Sequence, residues 1–403
     1  MSSLIWSPDQ LAAVDAHTKA VAEGDPDQCM AGAAGTGKTS LVTELCARFR
    51  DQGWGIRLFA PTGKAASRLH QVTGEEVVTI HSALFGRVQE RDDGSPIFLD
   101  PRAPCPERTI SVIDEGSMVD VYVHNKFIEK LPRGALALFA GDDGQLPPVD
   151  GPWGPHFDRP TSRLSTPHRQ ALDNPIIAIA TDVRNGGRLP QGEQGDAYAR
   201  RSIDILALAE QIAERRRAGI DLMVLTWDNT LRMKLNDRIR AALGRTQPIE
   251  AGDKLVVRIN AYALGVRNGE RLTVQSAVPW VTTPQGERAQ RRGETSTEDE
   301  ETWWVRTEEG VHVWVHLPSL DQDQVAFRQA RKGAKATQGF LWLHVHKGEA
   351  STVHVAQGSE YDEVHFVLGK ATRSLAARDR DLARKLVYTA LTRAKKRFYA
   401  HDL

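Results

Sequence analysis

Apolar residues recur along the chain in short runs. Each run is closed by glycine, proline or a polar pair, and most are followed by a stretch with helical spacing. Gln28-Cys29-Met30-Ala31 reads as the end of one strand, and Gly55–Ala60, Thr109–Ile113, residues 135–140 and Leu222–Thr226 read as four more. Residues 11–14, 40–45 and 230–243 place apolar positions at helix spacing. Strands that are apolar throughout suit a parallel sheet covered on both faces. Strand alternating with helix therefore predicts an α/β chain built on open parallel sheets.

Two stretches break the alternation. Within residues 84–108, Arg87-Val88-Gln89-Glu90 and Pro96-Ile97-Phe98-Leu99 flank an Asp-Gly turn and predict a projecting β-hairpin. Later, residues 252–257, 266–270, 272–274, 303–306 and 311–315 predict short strands with tight turns, whose tryptophans are expected mostly in a core. The polar, charge-rich segment 284–301 between them is expected to be a mobile loop.

In an open parallel sheet, ligands gather at the carboxyl ends of the strands, and the candidate chemistry falls there. Gly32-Ala33-Ala34-Gly35-Thr36-Gly37-Lys38-Thr39 matches the phosphate loop G-x-x-x-x-G-K-T. Its glycines let backbone N–H groups face an anion, Lys38 reaches the outer phosphates, and Thr39 ligates Mg²⁺. After the second run, Thr62 and Lys64 lie on the same rim, and Thr79-Ile80-His81-Ser82 adds further donors. The run ending at Ile113 delivers Asp114, expected to hold Mg²⁺, and Glu115, expected to orient and deprotonate water. The run ending at Ala140 delivers Gln145, stiffened by Pro147-Pro148, as a sensor of the terminal phosphate. Arg169, in His168-Arg169-Gln170, offers a guanidinium to growing phosphate charge. Gln10, on the first turn of a helix capped by Ser7-Pro8, can present its amide to a purine.

Composition adds limits. A chain of 403 residues suggests two or three domains, and 40% hydrophobic with 26% charged residues is ordinary for a soluble globular protein. No apolar run is long enough to span a membrane, and the N-terminus lacks the pattern of a secretory signal. Cys29, Cys46 and Cys105 show no metal or disulfide spacing, and His344, His346 and His354 lack the partners of a zinc site, so no metal beyond Mg²⁺ is expected. Net charge is zero, but residues 370–397 hold ten basic and two acidic residues, a local +8 that suits either a phosphate backbone or a solvated helix face.

Taken in order, these motifs resemble a superfamily-one DNA helicase of the RecD/Dda type. Further matching residues are Pro61 to Ala66, Asp114-Glu115-Gly116-Ser117-Met118, Gly141-Asp142, Thr352-Val353-His354, Gln357 to Asp362, and Tyr388 to Ala394. The resemblance covers nearly the whole chain. It departs at Val355, where relatives usually carry Lys, and at Gly116, which is expected to loosen local packing. It implies two tandem RecA-like P-loop NTPase domains, residues 1–160 and 161–403. The first would carry the hairpin 84–108 as a duplex-splitting pin with Phe98 at its tip. The second would carry an SH3-like β insertion at about 260–342.

The resemblance also implies that ATP binds with Mg²⁺ between the two domains. Gln10, Gly35, Thr36, Gly37, Lys38, Thr39, Asp114, Gly358 and Glu360 would bind it, Glu360 at the ribose. Lys38, Glu115, Gln145, Arg169 and Arg393 would serve hydrolysis, the two arginines as fingers. Thr62, Lys64, His81, Phe98, Thr352 and His354 would contact single-stranded DNA. The implied protein is a cytoplasmic, bacterial or phage-encoded ATP hydrolase and 5′-to-3′ DNA helicase. It would act as a monomer on single strands and junctions, with a single-strand-binding, replication or recombination protein as partner. A translocase that needs a partner, an RNA helicase of the same superfamily and an ATP-switched DNA-binding module remain as alternatives.

Overall fold

The computed structural model describes residues 6–403 except 86, 91–95, 100–104, 150, 168–173, 260, 262, 263, 265, 267, 335 and 338–340; the side chains of 87–90, 96–99 and 324 also lie outside the description. Its strands, in chain order, begin with β1 (Asp27–Gly32), β2 (Gly55–Ala60), β3 (Val77–Thr79), β4 (Arg87–Glu90), β5 (Pro96–Leu99), β6 (Thr109–Ile113), β7 (Leu136–Gly141) and β8 (Ser162–Leu164). They continue with β9 (Gly192–Gln194), β10 (Tyr198–Ser202), β11 (Leu222–Thr226), β12 (Lys254–Val257), β13 (Arg271–Pro279) and β14 (Thr302–Thr307). The last are β15 (His312–His316), β16 (Val345–Lys347), β17 (Ala350–Thr352), β18 (Tyr361–Leu368) and β19 (Ala394–Asp402). The chain divides into two compact units. One comprises Met1–Val88, Phe98–Arg201 and Ala356–Asp402, the other Gln89–Ile97, Ser202–Val355 and Leu403.

The first unit is built on a six-stranded sheet of order β3-β2-β6-β7-β1-β8, with every neighbouring pair parallel. Both faces are buried. On one, Leu58, Ile110 and Leu138 pack against Val14, Leu41, Leu45, Phe49 and Leu69 from helices Pro8–Glu23, Lys38–Asp51 and Gly63–Thr73. On the other, Phe59, Ile113 and Phe139 pack against Ile80, Leu84, Val123 and Phe127. Leu58 and Phe59, successive residues of β2, thus serve opposite cores, which explains why a strand such as β7 is buried and apolar along its whole length. This unit also holds β18, β19, β10 and β9 in that order, β18 parallel to β19 and β9 antiparallel to β10.

In the second unit β11 runs parallel to β17, beside helix Asn229–Ala242, which packs in turn on helix Ile205–Arg217. Its second sheet, of order β15-β14-β13-β12-β16, is antiparallel throughout. Val257, Val274, Val305 and Val313 fill its core with Trp303. A separate cluster gathers Trp280, Trp314, Phe327 and Trp342, so these aromatics are core residues as the pattern predicted. The segment expected to be a mobile loop is instead ordered into helices Pro284–Arg291 and Thr297–Glu300. Thr283 caps the first with Pro284 at its first position, and Ser296 with Asp299 forms a capping box on the second. Both signals stand in the sequence, but charge content masked them.

β4 and β5 pair as the expected hairpin strands; the turn between them lies outside the described residues.

Candidate nucleotide site

Because the first sheet is parallel, β1, β2, β6 and β7 all end on one edge. β7 lies between β1 and β6, so the loop after β7 emerges between the phosphate loop and Asp114-Glu115. Two strand spacings, about 10 Å, separate β1 from β6. That leaves room for a phosphate and a cation.

The phosphate loop closes β1. Gly35 and Gly37 both take φ of +77°, open to glycine at no steric cost. Gly37 caps helix Lys38–Asp51, whose first N–H groups have no intrahelical partner and face the loop. Lys38 Nζ donates to Gly32 O at 2.7 Å and Ala33 O at 3.0 Å. Thr36 Oγ1 donates to Ala33 O at 2.8 Å. The Gln10 amide is engaged at both ends. Nε2 donates to Thr36 O at 3.0 Å, and Oε1 accepts the Ser7 N–H at 2.9 Å. Gln10 thus braces the loop, a contact sequence spacing does not show.

Beyond β6, Asp114 accepts the Glu115 N–H at 2.9 Å. Burial, and then the Glu115 charge, push its carboxyl above the usual range. Glu115 sits at φ +53°, in the left-handed region a non-glycine residue seldom occupies. Gly116 lies hard against β7: a Cβ there would meet Ala140 O at 3.2 Å and Phe139 Cβ at 3.3 Å. The expected loosening is therefore absent; the missing side chain permits close strand-to-turn packing.

Beyond β7, Gln145 is buried, and its Oε1 has no hydrogen-bond partner among the described residues. The neighbouring Leu146 is held at both backbone groups. Its N–H donates to Thr389 Oγ1 at 2.8 Å, and its carbonyl accepts Gln357 Nε2 at 3.1 Å. Tyr388, 1% exposed, accepts the Ala34 N–H at 2.8 Å and donates to Asp142 Oδ2 at 2.6 Å. Arg184 approaches Asp142 Oδ1 at 3.4 Å and also pairs with Asp143.

The other anticipated residues are placed as follows. Thr62 caps helix Gly63–Thr73 by accepting the Ala65 N–H at 3.2 Å. Lys64 Nζ lies 5.2 Å from the Tyr361 ring centre. His81 sits 5.9 Å from Phe85, ring to ring. Gly358 takes φ +71°, a Cβ there would meet Ala65 Cβ at 3.5 Å and Thr62 Oγ1 at 3.8 Å, and Glu360 pairs with Arg68 at 2.8 Å. Arg393 is buried and folded onto its own turn, donating to Thr389 O, Ser359 O and Thr392 Oγ1 at 3.2, 3.3 and 3.0 Å. The structure does not bring it to the phosphate loop. In the second unit, Thr352 is buried at the end of β17, and His354 lies 5.3 Å from Trp227. Arg169 lies outside the described residues, as does the Phe98 side chain. Of the ten basic residues in 370–397, five are seen in ion pairs among the described residues. Lys395 and Lys396 meet Asp362, Arg397 meets Glu363, and Arg384 and Lys385 meet Asp381.

A phosphate loop, a following carboxylate pair and a polar sensor on one parallel edge define a P-loop NTPase. Residues 6–205 match the AAA domain family, and residues 347–400 match the UvrD-like helicase C-terminal domain. The chain is 29% identical over 377 residues to the ATP-dependent RecD2 DNA helicase of Deinococcus radiodurans, covering 92% of this chain and 46% of that protein. It is 25% identical over 427 residues to the ATP-dependent DNA helicase dda of Enterobacteria phage T4, covering 94% of each. A solved Pif1 helicase structure, described as showing DNA unwinding at forked duplex DNA, matches with a TM-score of 0.55 at 16% identity, over 98% of this chain and 92% of that one. The chain therefore belongs to the superfamily-one helicases of the RecD/Dda type, with an α/β fold of tandem RecA-like domains. It spans about half the length of the RecD2 relative.

Proposed function

We propose that the chain is an ATP-dependent DNA helicase moving 5′ to 3′ on single-stranded DNA. The observation that carries the reading is the shared rim. Lys38, Thr39, Asp114, Glu115 and Gln145 close strands of one parallel sheet, and Tyr388 ties the phosphate loop to the Gln145 turn. The residues fit Mg²⁺-ATP. The outward N–H groups at Lys38 and Thr39 suit phosphate. The raised Asp114 carboxyl suits a cation that offsets its crowding by Glu115. Gln145 Oε1, which has no hydrogen-bond partner among the described residues, is an acceptor for a water proton.

Thr39 and Asp114 would hold the metal, which neutralises charge on the terminal phosphates when bound. Lys38 pairs with the same phosphates, Glu115 takes the proton of the attacking water, and Gln145 orients that water. Arg169 and Arg393 are proposed to supply further positive charge. For Arg393 this requires its turn to release the guanidinium. Gly358 and Glu360 are proposed at the nucleoside. Thr62, Lys64 and His81 in the first unit, and Thr352 and His354 in the second, are proposed as backbone contacts to DNA, so binding should fall with salt. The hairpin of β4 and β5 is proposed as the pin, and the β12–β16 sheet as the SH3-like insertion. We propose domains at 1–160 and 161–403, and a monomeric motor of the bacterial or phage cytoplasm that works beside a replication or recombination protein.

The test is unwinding of a short duplex with a single-stranded tail on one side, in ATP and Mg²⁺. A 5′ tail alone should support unwinding. Unwinding from a 3′ tail alone would overturn the direction. ATPase stimulated by single strands without unwinding would favour a translocase that needs a partner, a reading the 46% coverage of the RecD2 relative keeps open.

A further inference from the structure

The helix Arg380–Leu391 reaches the nucleotide rim at several points. Tyr388 binds Ala34 and Asp142, Thr389 binds Leu146, and Lys385 Nζ sits 3.9 Å from the Trp153 ring centre. Arg384 donates to Arg184 O at 2.6 Å. The Tyr388 ring enters through a slot kept open by Gly144, where a Cβ would come within 3.1 Å of Tyr388 Cε1 and 2.9 Å of Arg184 Nε. The Arg184 guanidinium stands 5.8 Å from the ring centre and holds the other oxygen of Asp142. Of these contacts, the one to Ala34 falls on the phosphate loop itself, where a backbone N–H meant for an anion is given to a neutral phenol oxygen.

We propose that Tyr388 is a positioning residue for hydrolysis: its hydroxyl holds the Ala34 N–H in competition with the terminal phosphate, so that nucleotide arrival is felt by helix Arg380–Leu391. This rests on the nucleotide reading above. A charged phosphate oxygen accepts about twice as strongly as a neutral one, so the exchange runs towards phosphate. Tyr388 then keeps its bond to Asp142 and loses its hold on the loop. One residue along the helix, Thr389 carries the change to Leu146, next to Gln145. The helix thereby links the phosphate loop to the water-orienting turn.

The experiment uses the full chain with Tyr388→Phe and Thr389→Val. Steady-state ATPase is measured with and without a single-stranded oligonucleotide, together with thermal unfolding. Tyr388→Phe keeps the ring and removes one competing bond. Its KM for ATP should fall about three- to tenfold, the worth of one hydrogen bond, while kcat and its stimulation by the oligonucleotide both drop. Thr389→Val should lower kcat without lowering KM, because it leaves Ala34 held. A merely structural lesion would raise KM and lower the melting temperature together, and that result for Tyr388→Phe would overturn the proposal. So would an unchanged KM and stimulation in Tyr388→Phe, or an equal fall of KM in both variants. A wild-type chain that neither binds nor hydrolyses ATP would sink the nucleotide reading, and this one with it.

Discussion

Glu115 combines two demands that conflict. As the proposed base it must stand at the end of β6, and its φ of +53° puts a side chain where glycine is easier. Such strain costs on the order of 1 kcal/mol and collects at functional sites. Glu115→Gly should therefore raise stability by about 0.5–1 kcal/mol in urea unfolding while abolishing hydrolysis. Glu115→Gln should still bind ATP and DNA without turnover. Lys38→Ala should also abolish hydrolysis and keep its melting temperature, since among the described residues the hydrogen bonds of Lys38 Nζ go to loop carbonyls. Normal turnover in Lys38→Ala would refute the loop assignment. Lys38, Thr39, Asp114 and Glu115 were legible because their chemistry sits in contiguous residues beside a strand end. The engagement of Gln10 with Thr36 and of Tyr388 with Ala34 was not, since those partners lie 26 and 354 residues apart.

Single elements of the insertion depend on buried polar hubs. Asp299, fully buried, accepts from Ser296 N, Ser296 Oγ, Ala336 N, Thr337 N and Thr337 Oγ1, at 2.7–3.0 Å. Asp299→Ala strands those donors and should cost about 2–4 kcal/mol, measured by chemical unfolding. Arg232, 3% exposed, pairs with Asp321 at 2.7 Å, and Asn236 exchanges two hydrogen bonds with Ala350. Asn236 also donates to Arg232 O at 3.0 Å, so the two residues of helix Asn229–Ala242 share a local polar network. In the first unit, burial, and then His124, push His156 down to about 4. The unfolded chain takes up this proton near the ordinary histidine value of about 6.5 and the folded chain does not, so stability is intact above that value. It should fall by about 3 kcal/mol as pH drops from roughly 6.5 to 4, and unfolding curves of His156→Phe should show a smaller fall over that window.

At the scale of the molecule, function rests on bringing distant segments to one parallel edge. Replacing 91–95 with a two-residue Asn-Gly turn should leave ATPase intact and reduce unwinding if the hairpin is the pin; unchanged unwinding would remove that role. The sequence by itself determined the α/β class, the loop and carboxylate motifs and the position of the hairpin strands. Each of these depends on local spacing, backbone freedom at glycine, or side-chain chemistry. Only the tertiary structure decided that β7 separates β1 from β6, that Arg393 turns back on its own helix end, that the charged segment 284–301 is helical, and that Tyr388 closes the phosphate loop. Those outcomes depend on strand order and on contacts between residues far apart in the chain, which no local pattern encodes.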